Sequence, residues 1–127
     1  MPHGIGRSSK RMDGSGAPAV VKANCAIGAG WGTTGDFTVA AGSTEQRGSA
    51  TITAGGASFA QATATFTITF PGGTRPYAPF AMADATNDNA IDTGRFRCVT
   101  STTQLVATHS VLPVDTRVYI VTWLIPD

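Results

Sequence analysis

The residues of this 127-residue chain with acid–base, nucleophilic or metal-binding chemistry are His3, His109, Cys25, Cys98 and eight carboxylates. A hydrolytic triad requires a nucleophile, a histidine base and a carboxylate within hydrogen-bond reach of one another. His3 sits in a Gly- and Ser-rich opening segment. His109 closes an alternating run on the same side as Leu105 and Ala107, where a partly buried structural histidine is expected. The strained nucleophile turn G-x-S-x-G does not occur. The acids fall in turns and chain ends, apart from Asp36 and Asp84 at strand edges, and nothing marks two of them as the pair that glycoside chemistry needs. Zinc asks for closely spaced ligands, and the two histidines and two cysteines supply no such pair. No catalytic residue, cofactor or metal is assigned, and the chain is expected not to be an enzyme.

Three weaker signals have simpler explanations. GAGWGTTG at 28–35 has the glycines of a phosphate cradle, but such a cradle feeds a helix N-terminus, and DFTVAA reads as a strand. Those glycines are expected to permit positive φ in a loop that tucks Trp31 against the body. DATNDNAID at 84–92 gathers hard oxygens of the kind calcium prefers, yet it misses the EF-hand spacing, and Asn-Asp-Asn is ordinary turn chemistry. Arg75, Tyr77, Arg95, Phe96 and Arg97 have the types that stack on nucleic acid. Arg95 and Arg97 alternate with Phe96 and Cys98, however, and edge protection or a neighbour's carboxylates account for them; no nucleic-acid partner is expected.

The elements that position these residues are strands. Thr63, Thr65, Thr67 and Thr69 alternate with Ala64, Phe66, Ile68 and Phe70, which gives one hydroxyl-bearing face and one dry face of an antiparallel sheet. Further strands are expected near 20–27, 36–41, 47–54, 79–84, 94–100, 103–109 and 117–125, separated by Gly42-Ser43, Gly55-Gly56, Pro71-Gly72-Gly73, Asn87-Asp88-Asn89 and Pro113. Short strands at this spacing describe an all-β sandwich or barrel. The last strand has two apolar faces, Val118, Ile120 and Leu124 on one and Tyr119, Val121, Trp123 and Ile125 on the other. It is either central between two layers or covered by another subunit, and the second face, Tyr119 to Ile125, is taken as a subunit interface.

Composition agrees with a single folded domain. Charged residues make up 13% and apolar ones 42%, so there is enough apolar surface to fold and little charge to expose. Residues 1–22 hold Arg7, Lys10, Arg11 and Lys22 against Asp13 alone, while the remainder has five arginines against seven acids. The basic segment is read as a solvated tail or as a dock for an acidic partner. Neither a secretory leader nor an apolar run of membrane-spanning length is apparent, so no membrane partner is expected. Without an export signal, Cys25 and Cys98 are expected as free thiols rather than a disulfide.

The runs GAGWGTTGDFTVAAGSTEQRGSATITAG, ATFTITFPGG, RPYAPFAMADATND and RVYIVTWLI resemble a β-domain recurrent in tailed-bacteriophage virion proteins: tail-fibre heads, minor tail proteins and capsid-surface accessory proteins. Trp31, Arg47-Gly48, Phe66, Phe70, Pro79-Phe80, Tyr119 and Trp123 carry the likeness, which spans about residues 28–125. It implies an antiparallel β-sandwich, jelly-roll-like, that assembles around a symmetry axis, often as a trimer, without enzymatic activity. The chain has no coiled-coil shaft, only an extended arm over residues 1–20 before a domain over 21–127. This favours a virion-surface accessory, a capsid decoration or fibre-head subunit, docked on capsid or tail proteins through Arg7, Lys10 and Arg11. The alternative is a receptor-binding, lectin-like module in which Tyr77, Asp88 and Asn89 contact host-surface glycans. Either role locates the protein in the virion.

Overall fold

The structure, a computed structural model, describes residues 17–75, 77, 78, 82–87 (backbone only) and 96–126. Eight strands form two four-stranded antiparallel sheets: β1 (Cys25–Ile27), β2 (Asp36–Val39), β3 (Arg47–Thr53), β4 (Thr65–Thr69), β5 (Met82–Asn87), β6 (Phe96–Thr100), β7 (Gln104–His109) and β8 (Val118–Leu124). One sheet has the order β1-β4-β7-β6 and the other β2-β3-β8-β5. Among the described residues no helix exceeds one 3₁₀ turn; the turns are Lys22–Asn24, Ala29–Trp31 and Gln61–Thr63. The all-β expectation holds. In a jelly roll the first and last strands are neighbours, whereas here β1 pairs with β4, and β8 lies between β3 and β5. The two sequence-adjacent pairings, β2 with β3 and β6 with β7, are hairpins at sheet edges.

The alternating run folds as its pattern dictates. Ala64, Phe66, Ile68 and Phe70 are buried, and on β4 Thr65, Thr67 and Thr69 turn away from the core. Phe66 lies opposite Ala107 and Ile68 opposite Leu105 on β7, which has the same parity. The strand begins two residues later than the threonine pattern. Gln61–Thr63 coil into a 3₁₀ turn, and the Ala64 carbonyl accepts the His109 N–H at 2.9 Å. That turn presses on Gly30, where a Cβ would lie 2.1 Å from the Ala60 carbonyl oxygen. Beside it Trp31 is fully buried and its indole N–H donates to the Thr65 carbonyl at 2.9 Å, so the glycine-rich segment does seat this tryptophan.

Side chains of both sheets meet in one core. The Phe37 ring of β2 lies edge-on to Phe66 of β4 at 6.0 Å, and Phe66 stacks on Trp123 of β8 at 5.9 Å. This corrects the interface assigned to Tyr119, Val121, Trp123 and Ile125: all four are buried inside this chain. β8 is a central strand, and a period of two sends these residues inward once the strand is paired on both edges. Trp123 is further fixed by its indole N–H, which donates to the Thr44 carbonyl at 2.9 Å, and Gly48 opposite leaves room for the ring. The outward face of β8 carries Val118, Ile120 and Leu124, half-buried, and exposed Thr122.

The body also begins earlier than residue 21. Ala19 bridges Thr44, the Pro18 carbonyl accepts the Glu45 N–H at 2.8 Å, and Val20 is 2% exposed in the core. Arg7, Lys10 and Arg11 lie outside the described residues.

Candidate functional site

Of the three residues expected to contact glycans, only Tyr77 lies among the described residues. Asp88 and Asn89 lie outside the described residues, as do Arg95, Pro79 and Phe80. Tyr77 is 77% exposed, a large aromatic surface held in water. Asp84 and Asn87, from the oxygen-rich run read as turn chemistry rather than as a calcium site, fall on β5 in register with Thr122 and Tyr119. Among the described residues no three His, Cys, Asp or Glu side chains converge as metal ligands.

Arg75 is not on the surface. Its guanidinium meets the Glu45 carboxylate at 2.7 Å, with both side chains at most 4% exposed, and lies 4.6 Å from the Phe70 ring centroid. The second Glu45 oxygen accepts the Gly72 N–H at 2.7 Å. A charged pair so placed is tolerated only with close geometry and saturated lone pairs, which fixes the Pro71–Arg75 turn to the Glu45 corner. Next to it Gln46 is buried, and both its side-chain amide atoms lack partners among the described residues.

Both cysteines are partly buried. Cys25 and Cys98 share the core-facing parity but lie on β1 and β6, the opposite edges of their sheet. Three strand spacings of about 4.8 Å separate them, far beyond disulfide reach. Burial pushes the Cys25 thiol up to about 11, so it is an inert packing residue rather than a nucleophile. Asp36 is shifted the other way: the Phe37 backbone N–H and then the Lys22 ammonium, at 3.0 Å, hold its carboxyl below the usual range.

His109 is the residue around which a surface feature is built. It is 1% exposed, with Tyr119, Phe96 and Trp31 rings 4.8, 5.2 and 5.6 Å from its own. Its Nδ1 lies 2.7 Å from the Val111 carbonyl oxygen. A carbonyl only accepts, so Nδ1 carries the proton in this contact, and Nε2 has no hydrogen-bond partner among the described residues. This histidine is an anchor for the segment that follows it. The Tyr119 hydroxyl accepts the Val114 N–H at 3.0 Å, the Ala54 carbonyl accepts the Thr116 N–H at 2.9 Å, and Asp115 accepts the Gly56 N–H at 3.1 Å. At the other end Gln61 donates to the Ser110 carbonyl.

Held at so many points, this segment nonetheless presents Val111, Leu112 and Val114 to solvent at 44%, 51% and 44%, around a buried Pro113. Thr116 completes it at φ +64°, a conformation costly for a β-branched residue. Beside this ridge runs a groove of about 690 Å³ lined by Gln61, Ala62, Arg97, Val99, Thr108, His109 and Ser110. No family model matches the chain, and no curated protein or solved structure matches it.

The ridge was not foreseen from the sequence, where Pro113 appeared only as a turn marker. Its signal was present: Val-Leu-Pro-Val is an apolar run in a connection, where polar turn residues are the rule.

Proposed function

We propose that the chain is a non-enzymatic structural subunit of a tailed-bacteriophage virion, a surface accessory of the capsid-decoration or fibre-head kind. In this reading its two sheets form a β-sandwich, supported by the contacts of Phe66 with Phe37 and Trp123 across them. The arm with Arg7, Lys10 and Arg11 anchors it to capsid or tail proteins, and copies of the chain also meet one another.

The observation that carries the proposal is the pinned apolar ridge at Val111–Val114. A connection fixed by His109 and Tyr119, yet offering its apolar side chains to water, is pre-organised for a protein surface. The residues behind the sequence likeness support it differently. Trp31, Phe66, Phe70, Tyr119 and Trp123 are all interior, so the likeness concerns a scaffold and not shared chemistry. The decisive experiment is quantitative mass spectrometry of purified virions from cells producing the chain. A fixed, stoichiometric copy number that drops with Leu112→Asp is expected; absence of the chain from purified virions would refute the role.

Exposed Tyr77 favours a second reading, a lectin-like module contacting host glycans with Asp88 and Asn89. A host-glycan array separates the two. Binding abolished by Tyr77→Ala would support the module, and a blank array would remove it.

A further inference from the structure

We infer that the ridge is occupied by a second copy of this chain, the Val111–Val114 ridge of each copy lying in the groove of the other. This rests on the reading of the ridge as a protein-contact surface and names what covers it. Convex and concave parts are neighbours on one face: Ser110 ends the groove lining and leads directly into Val111. A ridge and an adjoining groove of similar polarity are self-complementary about a two-fold axis passing between them, because each copy then supplies both parts to the other. The groove offers Val99, 59% exposed, and Ala62 as its apolar floor. Gln61, Thr108 and Ser110 give it a polar rim, as protein interfaces have.

Charge points to the same occupant. Arg97 is exposed on the groove side of β6 and makes no ion pair within the described structure. Asp115 stands exposed at the far end of the ridge, one of its oxygens holding the Gly56 N–H. In the two-fold arrangement the Asp115 of one copy approaches the Arg97 of the other, twice per pair. Complementary charges flanking an apolar centre fix register and reject other partners.

Sedimentation of the full chain over a concentration series tests this directly. A reversible dimer is expected, and Leu112→Ser or Val99→Ser, both at exposed positions, should raise its dissociation constant about tenfold or more. Arg97→Glu should do the same, and combining it with Asp115→Arg should restore association. The Arg97→Glu arm stands alone if Asp115→Arg impairs folding, since Arg97 is exposed and makes no ion pair among the described residues. A chain that stays monomeric, a mass of three copies, or an Arg97→Glu variant that associates like the parent would overturn the inference. Virion content reads the broader proposal separately. A monomer found stoichiometrically in virions refutes only the self-contact, and a dimer absent from virions refutes only the structural role.

Discussion

The most consequential single residue is Glu45, because its charge has been taken wholly out of water. It is 0% exposed and is satisfied by Arg75 and the Gly72 N–H. Removing one partner strands the other: Glu45→Ala should cost about 3–5 kcal/mol in urea unfolding. Replacing both residues with methionine should recover most of that loss, because a desolvated pair is of little net benefit over apolar packing. A double variant as unstable as the single one would mean that the pair is more than a tolerated feature. Cys25 makes the second residue-scale case. With its thiol raised from 9.0 to about 11, the thiolate population at neutral pH falls about a hundredfold. Alkylation of native protein should therefore be slower at Cys25 by about that factor than in the unfolded chain, as mass spectrometry can follow. The sign for stability follows from the same shift. The folded state favours the protonated thiol, so this contribution is complete below pH 9 and is lost as the pH rises through about 11.

At the scale of elements, the connection after β7 is where local preference has been overridden. Thr116 adopts φ +64° so that its N–H can reach the Ala54 carbonyl while Arg117 N–H closes on Val114. Thr116→Asn keeps those backbone bonds and suits the left-handed region, so thermal unfolding should show a gain of about 1 kcal/mol. A loss would mean that the threonine side chain itself holds the turn. The same contrast explains what the sequence disclosed. β4 was legible because Thr65–Thr69 alternates strictly, and alternation states which face is wet; β7 was legible more weakly, from Leu105 and Ala107 on one face, since Val106 is apolar on the other. β8 was legible as a strand but not in its orientation, because Val118 and Ile120 are as apolar as Tyr119 and Val121; only its pairing with both β3 and β5 decides the matter. The strand expected to end at residue 84 runs on in β5 to Asn87, since Asn87, a turn former by type, pairs with Tyr119. Glu45 and Arg75, thirty positions apart, carried no local sign of their meeting. A glutamate in a turn reads as solvated, and long-range burial is not a property of its neighbours.

For the whole molecule, the boundary between arm and body controls both stability and charge. Deleting residues 1–16 removes Arg7, Lys10, Arg11 and Asp13, which takes the formal net charge from +1 to −1 while leaving every described contact in place. The unfolding midpoint should hardly move. Deleting residues 1–20 differs by only four residues, but it removes the Ala19–Thr44 bridge, the Pro18 carbonyl that satisfies the Glu45 N–H, and the buried Val20. The orphaned N–H sits beside the buried ion pair, so the loss should reach about 3 kcal/mol or more, read from chemical denaturation. If the arm is the anchor, both truncations abolish virion incorporation, yet only the longer one softens the fold. Equal stability of the two would show that Val20 and its bridge contribute nothing to the core. Full incorporation after the 1–16 deletion would move the anchor from the basic arm to the body.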